Sequence, residues 1–389
     1  MSEISLSEDN GNIETEIVTP FVLFVRIFSL IPPIPSADAH KILVSEIYLC
    51  IPQFIISLKL YPIMRCIISE STNPYFNLAT EEYLLKISDE EIFLIYNNEP
   101  CIVVGKHQNL LSEINLKSTL EKNIKLARRI SGGGTVYQDL NNLNFSFIHN
   151  CSNLEKINFT KFTTPILEAL RDMGLDVSFS GRNDLLIDSR KISGNAMHIF
   201  KTRVLSHGTL LFNTDLSQLS LALKNNPNKY IDKAIRSVRS EVTNISSHLQ
   251  NQKSIDEFKQ SLFQNITRKT QNPSLKQLTQ IETESIEQIS KSKYQTWEWI
   301  YGYSPKYIFQ NTYNYSETEI SFELHVEKGI IKSISSNINS TQYADYQCIF
   351  TALLNVKHEY KSVFEKLKND PKILVIPNLN LHEFCNCLF

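Results

Sequence analysis

Three consecutive glycines, Gly132-Gly133-Gly134, constrain this chain most, and they use three of its 11 glycines in one place. They lie in Ala127-Arg128-Arg129-Ile130-Ser131-Gly132-Gly133-Gly134-Thr135-Val136-Tyr137, between two strand-like stretches. A run without Cβ atoms can turn tightly and expose successive N–H groups in one concavity, the shape of an anion nest. Arg129, two positions before Ser131, adds a fixed charge and forked donors for phosphate or carboxylate. This is not a P-loop, because no Gly-Lys-Ser/Thr follows, nor a dinucleotide fingerprint, because no GxGxxG opens a helix. From spacing alone it reads either as an anion site or as a glycine-rich hairpin beside a solvated arginine pair.

A second cluster bears on that choice. Ser180-Gly181-Arg182-Asn183-Asp184-Leu185 leads into a strand and is followed by Arg190-Lys191-Ile192-Ser193-Gly194-Asn195-Ala196. If the two strands pair, Asn183, Asp184 and Lys191 converge on one cleft, and the alternating segment that Lys191 opens ends in Gly194, where close backbone approach is allowed. The plainer reading takes Asp188–Lys191 as a solvated turn. His207-Gly208 then opens the strand expected over Thr209–Asn213. His207 is either a hydrogen-bonded structural residue or a catalytic one.

Around these segments the pattern mixes strands and helices. Strands are expected at Arg65–Ser69, Ile92–Tyr96, Cys101–Gly105, Lys125–Ile130, Asn144–His149, Val177–Ser180 and Leu185–Asp188. Helices are expected over Tyr75–Lys86 and Leu116–Asn123, from Thr164 with Pro165 at its first position to Gly174, and after the Ser254/Glu257 capping box. Residues 269–293 are polar and weakly patterned, which predicts a linker or loose helical region. Glu327-Lys328-Gly329 between Phe322–Val326 and Ile330–Ile334 predicts a hairpin. Without a strict βαβ rhythm, the fold class is α+β.

The organisation expected is an N-terminal extension over 1–63, probed by composition below, a catalytic part over 64–290 and an accessory part over 291–389. Residues 1–20 carry Glu3, Glu8, Asp9, Glu14 and Glu16 without Lys or Arg, the opposite of a secretory or mitochondrial leader. The apolar run Phe21–Ile31 contains Arg26, and Ile42–Ile63 carries Glu46, Lys59 and two prolines, so neither reads well as a membrane span. The extension is therefore expected outside the fold, with Met64 as a natural start. A net charge of −2 supplies no global field toward nucleic acid. Seven dispersed cysteines without a CxxC pair predict free thiols and no structural metal.

Seven ordered stretches together resemble the lipoate–protein ligase and lipoyltransferase family. They are NPYFNLATEEYLL from Asn73, VVGKHQN from Val103, LARRISGGGTVYQDL from Leu126, GRNDLLI from Gly181, RKISGNA from Arg190, HGTLLFNTDL from His207 and SVRSEVTN from Ser237. TWEWIYGYSPKY from Thr296 is similar to the start of the family's small accessory domain. The resemblance implies a large mixed-sheet domain of the biotin/lipoate ligase type with a small C-terminal α+β domain. It also implies two steps: lipoate and ATP give lipoyl-AMP and pyrophosphate, then the acyl group passes to a lysine. The acceptors implied are lipoyl domains of 2-oxoacid dehydrogenase subunits and the glycine-cleavage H protein.

Carried onto this chain, the resemblance makes Lys191 the group that bridges carboxyl and phosphate oxygens. Arg129, Ser131 and Gly132–Gly134 would hold acyl carbonyl and phosphate, and Thr135, Val136 and Tyr137 would line the adenine. Asn183 and Asp184 would orient the nucleotide, Asp184 holding Lys191 or Mg²⁺. Ser193, Gly194, Ala196, His207 and Gly208 complete the lipoyl-AMP site, and Ser237, Val238, Arg239 and Ser240 form the loop that closes over it. ATP, lipoate and Mg²⁺ act as substrates and activator, with no tightly bound cofactor. Two departures stand out: Gln138 where many relatives carry His, and Lys106 where they carry Arg.

Alternatives remain at this level. A transferase would use only preformed lipoyl-AMP or a lipoylated donor; TWEWIYG leans that way, whereas Asn183 and the SVRS loop lean toward a complete adenylate site. A biotin–protein ligase would carry a Gly-Arg-Gly-Arg type of loop in place of the one found. A non-catalytic binder of lipoylated partners would have no need of Arg129 with Lys191. The family's acceptors in eukaryotes point to mitochondria, although the acidic N-terminus is no such address. Neither nucleic acid nor stable membrane association is expected.

Overall fold

The computed structural model describes residues 3–9, 12–18, 63–151, 159–181, 184–223, 226–315, 318–339, 343–374, 376 and 379–389. The chain divides into Met1–Tyr61 and Pro62–Phe389. In the first, β1 (Glu3–Asp9) and β2 (Asn12–Val18) pair antiparallel. Apart from Ile63, the two apolar runs lie outside the described residues. Among those described, no helix is long and apolar enough to cross a membrane.

In the second part the strands are β3 (Met64–Ile68), β4 (Glu91–Asn97), β5 (Cys101–Val104), β6 (Lys125–Arg128), β7 (Val136–Gln138), β8 (Asn142–Asn150), β9 (Ser178–Ser180), β10 (Asp184–Ile187), β11 (Arg190–Phe200), β12 (Arg203–Leu211), β13 (Tyr230–Asp232), β14 (Pro273–Leu275), β15 (Tyr307–Tyr315), β16 (Thr318–Glu327) and β17 (Ile330–Asn339). The main sheet runs β14-β3-β4-β8-β12-β11-β10-β9, and a small one runs β6-β5-β7. In the main sheet β14, β3 and β4 are parallel and the other pairs antiparallel.

Side chains alternate across this sheet, as the two-residue period of a strand requires. Phe93, Ile95, Phe145 and Phe147 face a layer holding Ile166, Leu170, Phe258 and Leu262. Ile92, Leu94, Tyr96, Ile148 and Leu205 face the helix Pro74–Ile87 through Leu78, Leu84 and Leu85. Asn73 caps that helix, its side chain accepting the Tyr75 N–H at 3.0 Å, with Pro74 at the first position where a missing N–H costs nothing.

Three sequence expectations change. The helix expected to open at Thr164 begins at Phe159 and holds Pro165 inside it. Burial of Phe162, Ile166, Leu167 and Leu170 along one stripe outweighs the hydrogen bond that Pro165 forfeits. The strand at Lys191 does not stop at Gly194 but continues to Phe200, paired with β12. Residues 269–293 are no linker: they form β14, the helix Gln280–Ile289 capped by Thr279 with Glu282, and a π-helical turn over Ser290–Tyr294.

What the polar pattern hid there is a buried ion pair. Arg65, 2% exposed, reaches both Glu282 oxygens at 2.7 and 2.9 Å and donates to Lys276 and Gln277 carbonyls. The Arg65 hydrogen bond holds the Glu282 carboxyl down to about 2. A depressed carboxyl contributes stability above its unfolded value near 4.3 that is lost as pH falls through the folded value. Melting temperature is therefore expected to fall between about pH 4.5 and 2, and Glu282→Gln should remove part of that slope.

The last hundred residues supply three strands of an antiparallel sheet, β13-β15-β16-β17, and its covering helices Tyr343–Leu353, Tyr360–Lys368 and Leu381–Cys387. The predicted hairpin is present, with Lys328 at φ 50° and Gly329 at φ 69°, the left-handed pair that a two-residue hairpin turn needs. Its edge strand β13 comes from residues 230–232, so this sheet draws on chain from before residue 290.

Candidate active site

Strands β6 and β7 deliver the glycine run to the mouth of a cleft. Arg129 lies buried beneath it: Nε donates to Ser131 Oγ at 3.0 Å, Nη1 to Val103 O at 3.2 Å, and Nη2 to Gly132 O at 2.6 Å and Gly134 O at 2.8 Å. Gly133 takes φ +89°, and an added Cβ would lie 3.0 Å from Arg129 Nη2. Arg129 also lines the cleft, so the side chain expected to meet substrate oxygens is at the same time the one that holds the loop carbonyls: a buried guanidinium needs acceptors. Burial pushes it down to about 10. Because the peptides are planar and trans, carbonyls turned toward Arg129 leave the next N–H groups facing the other way. One of these, Thr135 N–H, is taken by Ser237 Oγ at 2.8 Å.

Ser131 and His207 belong to a buried relay. Ser131 Oγ lies 2.6 Å from His207 Nε2, and His207 Nδ1 lies 2.8 Å from Glu81 Oε2. Glu81 Oε1 accepts the Tyr96 hydroxyl at 2.9 Å and the Ser146 hydroxyl. Burial pushes the Glu81 carboxyl up, but His207, Ser146 and Tyr96 together hold it below the usual carboxylate range. An ionised Glu81 only accepts, so His207 Nδ1 donates to it, and Ser131 Oγ sits between His207 Nε2 and the Arg129 Nε that donates to it.

Lys191 and Asp184 meet as expected. Asp184 pairs with Gly194 across β10–β11, a register shift follows Leu185, and Lys191 Nζ reaches back to Asp184 Oδ1 at 3.0 Å. The Lys191 backbone is clamped by Glu241 O and Thr243 N–H at 2.8 and 3.0 Å. A Cβ on Gly194 would meet Lys191 Cε at 3.0 Å and Nζ at 3.1 Å. Gly194→Ala is expected to displace the ammonium and lower turnover by up to about a hundredfold, with melting temperature little changed. Asn183 lies outside the described residues.

The cleft has two adjoining parts. One, of about 490 Å³, is lined by Leu78, Tyr96, Val103, Ala196, His207 and Gly208. The other, of about 790 Å³, is lined by Val136, Tyr137, Ser193, Lys191 and the loop Ser237–Ser240. Thr135, Lys191, Gly194 and Ser237 line both. The loop is latched: Ser237 Oγ donates to Glu113 Oε2 and accepts from Gln108 Nε2 at 3.1 Å, while Gln108 Oε1 accepts Thr135 Oγ1–H and Gly105 N–H, each at 2.9 Å. At its tip Val238 is 89% exposed. Among the described residues no group of three or more His, Cys, Asp or Glu side chains gathers to hold a metal.

Sequence reasoning singled out neither Glu81, Gln108 nor Glu113 as site residues. Glu81 had a signal: it sits three residues after Leu78 and four before Leu85, a carboxylate on the buried stripe of its helix. Gln138, which stands where many relatives carry His, lines the cleft, and its Oε1 accepts Asn98 Nδ2 at 2.7 Å.

Residues 73–267 match the family described as the lipoyl protein ligase A/B catalytic domain. The chain is 40% identical to lipoate–protein ligase 1 of Staphylococcus aureus over 314 residues, 80% of this chain and 95% of that one. It is 44% identical to lipoate–protein ligase LplJ of Bacillus subtilis over 264 residues, 67% of this chain and 80% of that one. Among solved structures, a bi-partite lipoate–protein ligase from Thermoplasma acidophilum, described with its E2 lipoyl domain, is similar at TM-score 0.53 and 26% identity, over 62% of this chain and 96% of that one. A lipoate–protein ligase A bound with ATP is similar at TM-score 0.51 and 26% identity, over 61% of this chain and 98% of that one.

Proposed function

The chain belongs to the lipoate–protein ligase family, and from that premise we propose that it joins lipoate to a lysine of an acceptor protein by way of lipoyl-AMP. The observation that carries this reading is the Lys191 ammonium, braced by Asp184 and lining both adjoining parts of the cleft. A carboxylate and the α-phosphate of ATP repel each other, so a cation between them lowers the barrier to their joining. Lys191 is that cation. The lipoyl chain lies against Leu78, Tyr96 and Val103, beside the wall fixed by Ser131, His207 and Glu81. The nucleotide lies along Thr135–Tyr137, under Ser237–Ser240, with Mg²⁺ arriving on its phosphates. Asp184, engaged by Lys191, acts by aiming it.

For the second step the acceptor lysine must attack as a neutral amine, although its free value is near 10.4. A cleft that excludes water and already holds Lys191 favours the neutral form by desolvation and like-charge repulsion. We assign these steps to residues 64–290 and an accessory role to 291–389. The acceptor is taken to be a lipoyl domain of a 2-oxoacid dehydrogenase subunit or the H protein, in keeping with the archaeal ligase described with its E2 lipoyl domain. The mitochondrial address implied by eukaryotic relatives finds no support in the bacterial ones.

The test offers the full chain an apo lipoyl domain with lipoate, ATP and Mg²⁺, and separately with preformed lipoyl-AMP, following acceptor mass. Addition of a lipoyl group in both is expected. Addition from lipoyl-AMP alone would make the protein a transferase, and addition in neither would overturn the proposal. Ser237→Ala should show the latch at work. At about 1.5 kcal/mol for a hydrogen bond to a charged group, KM for ATP is expected to rise about tenfold.

A further inference from the structure

Alternation along β11 puts Ala196, His198 and Phe200 on one face. Ala196 lines the cleft, so His198 and Phe200 carry that face outward from it, Phe200 about 13 Å further along. Cations gather around them. Lys86 Nζ and Lys201 Nζ each lie 5.4 Å from the centre of the Phe200 ring. Lys106 and Lys86 both act on His198 and on Lys293, whose ammonium sits 4.1 Å above the Trp299 ring. Among the described residues these lysines, His207 and the Glu82 carboxylate act on His198 and Lys293, while Asp89 and Glu91 act on Arg203, the partner of Phe200 in β12.

Glu82 cannot neutralise them all. It is 5% exposed and already takes Lys86 at 2.6 Å, Lys293 at 2.7 Å and the Tyr294 hydroxyl at 2.6 Å. The rim is therefore positive although the whole chain carries −2, so the charge is placed here and not spread over the molecule. It is also reachable. Asn195–Phe200 pairs with β12 on one side, and on the other β10 ends its pairing at Gly194. Among the described residues no strand covers that outer edge.

We propose that this rim, formed by Lys86, Lys106, His198, Lys201 and Lys293 beside the cleft, is the docking surface for the acceptor protein and receives an acidic face next to the target lysine. The inference rests on the acyl-transfer reading above. A lysine held in the cleft brings its own protein over the rim, within reach of charges that act over about 8 Å at physiological salt. Complementary charge at such a margin speeds encounter and fixes orientation more than it adds contact energy.

The experiment uses the full chain with Lys86→Gln, Lys106→Gln and Lys201→Gln combined, preformed lipoyl-AMP and an apo lipoyl domain. KM for the acceptor is expected to rise about tenfold with kcat unchanged, and its salt dependence to flatten. In the wild-type protein the same KM should climb from about 20 to about 300 mM salt. An acceptor KM within twofold of wild type would overturn the proposal, as would a wild-type KM indifferent to salt. Lost binding to anionic phospholipid vesicles with an unchanged acceptor KM would reassign the rim to a membrane and overturn it equally. If the triple variant does not fold, the wild-type salt series decides. Wild-type protein that transfers nothing from lipoyl-AMP marks failure of the acyl-transfer reading itself.

Discussion

Lys191→Ala is expected to abolish acceptor modification from lipoate and ATP, and to reduce modification from preformed lipoyl-AMP by at least about a thousandfold. Removing one preorganised donor from developing oxyanion charge costs about 3–4 kcal/mol, a hundredfold to a thousandfold in rate. Lys191 has two tasks in the proposed mechanism, joining carboxylate to phosphate and then stabilising the adenylate's carbonyl oxygen under attack, so both reactions should fail. The fold should survive. Its side chain is 26% exposed, its ion pair is with the partly exposed Asp184, and its clamp to Glu241 and Thr243 is made by backbone. Asp184→Asn provides the contrast. It leaves the ammonium present but unaimed, so activity should fall by less than in Lys191→Ala. Equal loss in the two variants would mean that Asp184 does more than aim Lys191. Full activity in Lys191→Ala, followed by acceptor mass, would remove the observation on which the proposed function stands.

The largest effect on stability is expected at Arg128, one residue before Arg129 and in the strand that leads into the glycine run. It is fully buried, among the described residues its hydrogen bonds go to carbonyls and a hydroxyl, and burial pushes its guanidinium down to about 10. Its nitrogens donate to the carbonyls of Gly105 at 3.0 Å, Gln108 at 2.8 Å, Trp299 at 3.0 Å and Ile300 at 2.7 Å, and to Ser304 Oγ at 2.9 Å. Trp299 Nε1 returns a hydrogen bond to Arg128 O at 2.7 Å. One side chain thus ties the Thr296–Ser304 stretch to the loop that carries Gln108 and, through it, the Ser237 latch. Each buried acceptor left without a donor costs about 1–3 kcal/mol, and several at once rival the 5–15 kcal/mol that holds a typical domain together. Arg128→Ala is expected to prevent folding near 37 °C. Arg128→Lys should fare only slightly better, since an ammonium has three donors and no fork. In whatever fraction folds, limited proteolysis should cut within 296–304. A melting temperature within a few degrees of wild type for Arg128→Ala would show the acceptors to be hydrated and this account mistaken.

The TWEWIYG stretch illustrates why some of this could not be read along the chain. Along the chain it resembles the start of a small accessory domain. Only the folded chain shows that its carbonyls are the acceptors for an arginine more than 170 residues earlier. The same holds for residues 269–293. Their polar pattern suggests solvent, yet Glu282 answers the buried Arg65 across 217 residues. Polar residues carry no hydrophobic period, so nothing local distinguishes a solvated glutamate from one whose partner comes from a distant strand.

What the sequence determined by itself is local in origin. The α+β class, the Asn73 and Ser254 caps and the Lys328-Gly329 turn follow from side-chain period and backbone preference within a few residues. So does the meeting of Asp184 with Lys191, because two strands joined by a short turn have little choice but to pair. The tertiary structure alone decided how the site is wired. Glu81 reaches His207 across 126 residues, His207 reaches Ser131 across 76, and Gln108 and Glu113 close on Ser237 across 129 and 124. A buried polar group must be satisfied, but that demand names no partner. The sheet order names it, by placing β12 beside β8 and β11, and by bringing the Pro74–Ile87 helix across their face.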